Sequence, residues 1–235
     1  MSLLAPILAL LLGLQGEGPA SEAHARGRHE EALALYTQML ENRGNGDEGR
    51  ALHGMGDCLY RLGRPAEALL AYRRAALRRP RDPAIAFNLK FVSEALGVTD
   101  PAADSPVAAL RSASRVFTIG ELFAVGLVLQ SLGVILFRTG KSRGPRRRLA
   151  GFLLVIGLPF SLEAAWRQWG KPIELAVVLD ARADLMEGSS PSAGKLGALR
   201  PGETLTVLRK EEGWLEVEGP QGRGFVPRSA VGLVD

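Results

Sequence analysis

The chain has 235 residues, 46% of them hydrophobic and 23% charged, with a net charge of +4, and this length predicts one or two domains. Its single cysteine, Cys58, excludes an intramolecular disulfide. Much of the basic excess lies in residues 138–148, between two apolar runs, which argues against a nucleic-acid-binding surface and for a membrane-topology signal.

The first apolar run, residues 3–14, is shorter than the ~20 residues that a transmembrane helix needs, and it has the length of a signal-peptide core. Small residues follow it, and cleavage after Ala20 or Ala23 fits the small-residue rule. No lysine or arginine precedes the run, so its positive end is the terminal amine alone. We predict a signal peptide over residues 1–20, with an uncleaved anchor as the alternative.

Residues 21–97 carry a repeated helical pattern. Gly27, Gly63 and Gly97 are spaced by 36 and 34 residues, and G-x4-A-L-x2-Y begins at each of the first two. A period near 34 with small residues at fixed offsets resembles the tetratricopeptide repeat (TPR). The pattern predicts two good helix pairs and a fifth helix with ragged ends. The first helix would overlap the signal peptide, so we expect it to be short or absent.

The TPR resemblance implies a concave groove that holds a peptide or helix and carries no catalytic chemistry. The candidate groove residues are His53, Asp57, Tyr60, Arg61, Phe87, Asn88 and Phe91. Asn88 is the residue expected to hold the backbone of a ligand. Phe87 and Phe91 are either groove residues or packing residues.

The chain offers few residues for a catalytic or metal site. Cys58 lies in a helical pattern beside apolar residues, which favours a small core residue over a reactive thiol. The histidines, His24, His29 and His53, show no metal-site spacing. No histidine follows His53, so all histidines lie in the repeat region, and this argues against a catalytic Cys–His or Ser–His–Asp site. The sequence predicts no enzyme, no cofactor and no metal site.

Residues 98–115 include two prolines and are predicted to be a linker. The second apolar run, residues 116–137, has the length of a bilayer span and places the first membrane helix at 116–138. It contains Glu121, and a charged side chain is costly to place inside a bilayer. Glu121 lies only one to two turns from the end of the run, where this cost is smaller. We expect Glu121 to reach the membrane interface; a polar contact with a partner helix is the alternative.

The third apolar run, residues 149–166, is sufficient for a second membrane helix, which Pro159 is expected to kink. Trp166 and Trp169 lie where an aromatic belt would. The basic loop between the helices, residues 139–148, is so short that they must form an antiparallel hairpin. Such a loop stays in the cytoplasm. The regions before and after the hairpin then lie outside, in agreement with a signal peptide.

The last segment, residues 172–235, changes to an apolar period of two with glycine-rich turns. About five short strands in this length suit a small barrel. The predicted strands cover residues 173–179, 205–208, 214–217, 225–226 and 232–234, with a 3₁₀ turn at 229–231.

The order of motifs in this segment resembles bacterial SH3 domains. The motifs are A-V-V-L at 176–179, L-R-P-G-E-x-L-x-V-L at 199–208, G-W-L-x-V at 213–217 and G-R-G-F-V at 222–226. The usual arginine before the early turn is missing at 185–187, and Phe225 stands where tryptophan is usual. The resemblance implies a surface for cell-wall peptides or proteins at Trp214 and Phe225, but we expect Trp214 to belong to the core.

The complete order of signal peptide, TPR, basic-looped hairpin and SH3 resembles the BatE-type family of bacterial aerotolerance (Bat operon) proteins. Further shared pieces are N-L-K-F-V at 88–92 and E-L-F at 121–123. The resemblance implies a complex in the inner membrane with von Willebrand-type proteins and a MoxR-type ATPase, linked to oxidative stress or envelope integrity.

The predicted chain is therefore multidomain, with an all-α TPR region, a two-helix transmembrane hairpin and an all-β SH3-like barrel. Both folded regions are expected outside the cytoplasm. One hypothesis is an assembly scaffold that grips proteins with both regions. The other is an envelope sensor that binds peptidoglycan through the SH3-like region. A lipid bilayer is an expected partner in both, and nucleic acid in neither.

Overall fold

The computed structural model describes residues 18–42, 47–98, 118–139, 144–169 and 174–235. The chain divides into two compact units, Met1–Pro101 with Glu174–Asp235, and Ala102–Ile173. The predicted signal-peptide core at 3–14 and nearly all of the predicted linker at 98–115 lie outside the described residues.

Among its described residues, the first unit has five helices before the sheet: α1 Pro19–Ala25, α2 His29–Glu41, α3 Glu48–Arg61, α4 Pro65–Arg78 and α5 Pro83–Leu96. Local start signals explain several of these boundaries. The Asp82 side chain accepts a hydrogen bond from the backbone N–H of Ala84 at 3.0 Å, and Asp47 caps α3 in the same way. Proline stands in the first turn of α4 and of α5, where its missing N–H costs no hydrogen bond.

The three glycines that define the sequence period are turn residues. Gly27, Gly63 and Gly97 have φ angles of 76°, 74° and 64°. Glycine enters this left-handed region without a steric penalty, because it has no Cβ. The shared geometry at 36- and 34-residue spacing confirms the predicted helical repeat.

Close contacts between neighbouring helices depend on a tyrosine that faces a glycine. A Cβ atom at Gly56 would lie 2.6 Å from the ring of Tyr72, and one at Gly54 would collide with the ring of Tyr36. Both rings are buried, at 2% and 9% exposure. The absent side chains therefore let the helices approach closely around each ring.

Helix α1 is short, as predicted, with seven residues. It contains both candidate cleavage positions, Ala20 and Ala23, and buries both side chains in a cluster with Ala32 and Cys58. Both candidate cleavage positions therefore lie within a folded helix, at residues whose side chains are buried.

The second unit contains two long apolar helices, α6 Ile119–Thr139 and α7 Pro145–Trp169. Helix α7 begins at Pro145, inside the predicted basic loop at 139–148, and takes Arg146, Arg147 and Arg148 into its first turn. Pro159 lies inside α7. The side chains of Trp166 and Trp169 lie outside the described residues.

Both helices are long and apolar enough to cross a membrane, with mean hydropathies of 1.9 over Gly120–Thr139 and 1.5 over Pro145–Ala165. Large apolar side chains on both are exposed within the folded chain, for example Val128 at 64% and Val155 at 66%. The ability of the two helices to cross a membrane is inferred from their length and composition alone.

Seven strands form one antiparallel sheet in the order β3-β2-β6-β5-β4-β1-β7. Their bounds are β1 Glu174–Val178, β2 Asp184–Met186, β3 Lys195–Ala198, β4 Thr204–Glu211, β5 Trp214–Gly219, β6 Gly222–Pro227 and β7 Val231–Val234. The prediction of about five strands was low, because it missed β2 and β3. These strands have three and four residues, too few to show an alternating pattern.

The core of the sheet is built from inward-facing apolar residues. Leu205, Leu215, Val217 and Val226 are each 0% exposed. The 3₁₀ turn Arg228–Ala230 precedes β7, one residue earlier than predicted. Alternation along the strands, rather than any single residue, thus fixes which face is buried.

Helix α4 packs directly on β1 and β7. Val177 of β1 is 0% exposed and belongs to the same buried cluster as Leu69 and Tyr72 of the helices. The sequence predicts two separate domains here, but the structure joins them through one shared buried cluster, while the sheet also keeps a core of its own.

Candidate functional site

A cavity of about 390 Å³ lies in the helical region, in the groove formed mainly by α3 and α5. Its lining residues are His24, Asp57, Tyr60, Arg61, Tyr72, Phe87, Asn88, Phe91 and Val92. Six of the seven predicted groove residues line this cavity: Asp57, Tyr60, Arg61, Phe87, Asn88 and Phe91. The seventh, His53, does not line it but lies beside Asn88.

A hydrogen-bond network holds Asn88 in place. Its amide nitrogen donates to Asp57 Oδ1 at 3.0 Å and lies 3.0 Å from His53 Nε2. Tyr72 donates its hydroxyl to the same Asp57 oxygen at 2.6 Å. Burial, followed by the hydrogen bond to Asp57, raises the pKa of the Tyr72 phenol, which keeps the hydroxyl protonated as a donor.

Three aromatic rings form one wall of the groove. The ring of Phe91 meets Tyr60 edge-on with centroids 5.5 Å apart, and stacks on Phe87 at 6.3 Å. Phe87 and Phe91 are 68% and 46% exposed. These two residues are therefore not buried packing residues, and they present apolar surface to the groove.

Arg61 adds an exposed positive charge at the end of α3. Among the described residues it makes no ion pair, so its guanidinium is available to an incoming carboxylate. The groove thus combines an apolar wall, a positioned amide and a cation, which come from two successive helical repeats.

One cluster near the groove was missed by the sequence analysis. The Nδ1 atom of His24 lies 3.3 Å from the Sγ atom of Cys58, and the ring of His29 lies 5.0 Å from that of His24. Desolvation, together with the charge of Asp57, raises the pKa of the Cys58 thiol to about 11. The 34-residue separation between His24 and Cys58 leaves no spacing signal, because packing of α1 on α3 creates the contact.

The two aromatic candidates of the sheet lie on one face. Trp214 and Phe225 are half-buried, and in the β5–β6 pairing Glu216 stands opposite Phe225 while Trp214 stands opposite Pro227. Residues two apart share a face, so both aromatics lie on the side away from Leu215 and Val217. Leu215 and Val217, rather than Trp214, fill the core of the sheet.

The tetratricopeptide repeat family model matches residues 23–90. The matched segment runs from α1 into α5 and contains every groove residue named above except Phe91 and Val92. No curated protein and no solved structure shows a significant match to the chain. TPR repeats generally bind other proteins, and the match suggests a protein–protein interaction role for this part of the chain.

Proposed function

We propose that this chain is a membrane-anchored scaffold whose TPR groove holds a segment of a partner protein. The observation that carries the proposal is the groove itself, with Phe87 and Phe91 exposed beside an oriented Asn88. Aromatic side chains supply large contact area at low entropic cost, and exposed pairs of them favour a binding surface.

The groove chemistry favours a peptide with an apolar side chain and a carboxylate. The rings of Phe87 and Phe91 would pack against the apolar side chain. The hydrogen bonds of Asn88 within the described residues use its amide nitrogen, which leaves the amide oxygen to accept from a peptide N–H. Arg61 would pair with a carboxylate, either a side chain or a chain terminus.

We also propose that α6 and α7 form a transmembrane hairpin with its basic end in the cytoplasm. The exposed apolar side chains of both helices support this, because exposing so large an apolar surface to water is unfavourable. The arginines of residues 146–148 support the orientation. Residues 1–101 and 174–235 belong to one compact unit, which agrees with both ends of the hairpin lying on the same side of the membrane.

The resemblance to BatE-type aerotolerance proteins supplies the finer proposal. In this proposal, residues 1–20 are a signal peptide, residues 21–97 are the TPR region and residues 172–235 are an SH3-like domain. The TPR region and the SH3-like domain lie on the extracytoplasmic side of a bacterial inner membrane, and the basic loop lies in the cytoplasm. The 3₁₀ turn before β7, and the position of β1 between β4 and β7, support the SH3-like assignment. The proposed partners are von Willebrand-type membrane proteins and a MoxR-type ATPase system.

A second candidate function is binding of peptidoglycan fragments by the SH3-like domain. The observation in its favour is the shared outward face of Trp214 and Phe225. Half-buried aromatic side chains on one face can stack on sugar rings or contact peptide stems.

Site-specific photo-crosslinking in the native membrane tests the scaffold proposal. A photoreactive phenylalanine analogue replaces Phe87 in the full chain, and Lys90 of the same helix is the matched control, because its side chain is 77% exposed and pairs with Glu94. We expect a protein adduct from position 87 that is lost in Asn88→Ala and Arg61→Glu, and none from position 90.

Equal adducts from both positions, or an adduct at 87 that neither substitution weakens, would contradict a groove ligand. The same analogue at Trp214 tests the second candidate. Adducts with peptidoglycan fragments from position 214, without protein adducts from 87, would favour the wall sensor.

A further inference from the structure

Three metal-ligating side chains from three helices meet at the start of the helical region. One ligand atom from each of His24 in α1, His29 in α2 and Cys58 in α3 lies within 4.8 Å of the other two. Cys58 is fully buried and both histidines are half-buried. The cluster is thus largely shielded from water, and tertiary packing brings Cys58 to the two histidines.

The geometry between two of the donors is close to that of a metal site. Zinc binds thiolate sulfur at about 2.3 Å and imidazole nitrogen at about 2.0 Å, so a tetrahedral ion holds these atoms roughly 3.5 Å apart. His24 Nδ1 and Cys58 Sγ are 3.3 Å apart. The third donor, on the half-buried His29, lies within 4.8 Å of both, so coordination requires its side chain to move toward them.

A second observation independently points to a ligand. His29 Nδ1 is buried and has no hydrogen-bond partner among the described residues. Buried polar atoms are normally satisfied, because an unpaired one keeps its full desolvation cost. A hydrogen bond between His24 and Cys58 accounts for only two of the three side chains, whereas a shared ion would use all three.

We propose that His24, His29 and Cys58 bind a borderline-soft divalent cation of the zinc class. One thiolate and two imidazoles match the ligand preference of such an ion, and harder ions such as magnesium prefer oxygen donors. Three protein ligands leave the fourth tetrahedral position to water. The neighbouring Asp57 carboxylate, which acts electrostatically on Cys58, adds a negative field that favours a cation there.

The site would cross-link the shortest described helix of the helical region to its neighbours. Helix α1 has seven residues and no side-chain cap, and helices this short are marginal without tertiary contacts. An ion held by α1, α2 and α3 would fix α1 in place. His24 also lines the groove, so, if the proposed function holds, the ion would stabilise one of its walls.

Metal titration of the full chain tests the proposal. The protein is purified in detergent through a histidine-free tag, reduced, stripped with a chelator and titrated with Co²⁺. We expect one Co²⁺ per chain with a thiolate-to-cobalt charge-transfer band that Zn²⁺ abolishes. Because Cys58 is the only cysteine, such a band identifies its sulfur as a ligand.

The variants make the assignment specific. Cys58→Ala should lose the band. His29→Gln should weaken affinity by about 100-fold or more, since changes to outer-shell partners alone cost about 10–100-fold. His53→Gln, the one histidine outside the cluster, should bind metal as the parent chain does. Zinc at about 100 times its Kd should raise the Tm of the parent chain by roughly 5–10 °C, but not that of His29→Gln.

Absence of the band, or an affinity that His29→Gln leaves unchanged, would overturn the site. His29→Gln keeps the test decisive if Cys58→Ala does not fold, since His29 is half-buried at a helix end. These readouts do not depend on a groove ligand. A failed metal test therefore leaves the crosslinking result at position 87 to be judged separately.

Discussion

At the scale of single residues, Tyr72 connects the core of the helical region to its groove. The ring fills the space against Gly56, and the hydroxyl donates to Asp57, which also accepts from the groove residue Asn88. The buried Tyr72 hydroxyl thereby holds Asp57, and Asp57 orients the side-chain amide of Asn88. A positioned side chain loses less conformational entropy when a ligand binds, so this arrangement favours binding.

We therefore predict that Tyr72→Phe lowers the free energy of unfolding by about 1–3 kcal/mol, because Asp57 loses a buried donor. Tyr60→Phe is the matched control, since the Tyr60 hydroxyl has no hydrogen-bond partner among the described residues, and it should change stability by less than about 0.5 kcal/mol. Urea denaturation of the detergent-solubilised chain, followed by circular dichroism, measures both. Equal losses in the two variants would show that the Asp57 network is not stabilising.

At the scale of elements, the α6–α7 hairpin shows how an apolar pair manages its polar groups. The backbone N–H of Thr118 donates to Glu121 Oε2 at 2.8 Å, and the N–H of Glu121 donates to Thr118 Oγ1 at 3.1 Å. This reciprocal capping box satisfies two otherwise unpaired donors. It places Glu121 at the helix end, which fits the expected interfacial position better than a contact deep in a span.

The helices of the hairpin approach each other at glycines and join through polar side chains. A Cβ atom at Gly133 would lie 2.9 Å from Leu154, and Gln130 Nε2 donates to Ser161 Oγ at 3.2 Å. Small residues and interhelical hydrogen bonds are the usual means of helix association in lipid. These contacts therefore suit a membrane hairpin.

For this hairpin we predict opposite labelling of its two sides. Ser142→Cys lies in the basic segment and Ser229→Cys on an exposed position of the 3₁₀ turn, while native Cys58 is 0% exposed and supplies an unlabelled background. In spheroplasts, a membrane-impermeant maleimide should label Ser229→Cys at once and Ser142→Cys only after permeabilisation. The reverse pattern would invert the topology, and equal labelling would rule out a hairpin that crosses the membrane.

At the scale of the first compact unit, α4 and the sheet share polar as well as apolar contacts. The Arg74 guanidinium donates twice to the carbonyl oxygen of Leu233, at 3.0 and 2.7 Å, and pairs with Asp235 at 3.0 Å. A side chain at Gly232 would collide with Leu70. The carboxyl-terminal strand is therefore fitted to the surface of α4.

Arg74→Met should accordingly lower the free energy of unfolding by about 1–3 kcal/mol, because a charged donor is lost from a half-buried carbonyl. Amide exchange should accelerate in both α4 and β7. The control is Arg200→Met, an exposed arginine that makes no side-chain ion pair among the described residues, with an expected change below about 0.5 kcal/mol. Faster exchange in β7 alone would show that the two regions are not energetically coupled.

Local patterns in the sequence determined most of the elements of this protein. The glycine period and the tyrosine positions predicted the helical repeats, because left-handed turns and close helix contacts restrict residue choice at those sites. The length and hydropathy of the apolar runs predicted α6 and α7. Alternation predicted the longer strands, whereas β2 and β3 were too short to leave a pattern. Six of the predicted groove residues line one cavity, since repeat geometry fixes the inner face of each helix.

Only the tertiary structure decided how distant segments meet. His24 and Cys58 are 34 residues apart, and Arg74 and Leu233 are 159 apart. Contacts at such separations leave no periodic signal, because they depend on how whole elements pack rather than on neighbours in the chain. The sequence by itself therefore determined the helices, most of the strands and the groove face. The packing of α4 on the sheet, the orientation of Asn88 and the His–His–Cys cluster became visible only when those elements were placed in three dimensions.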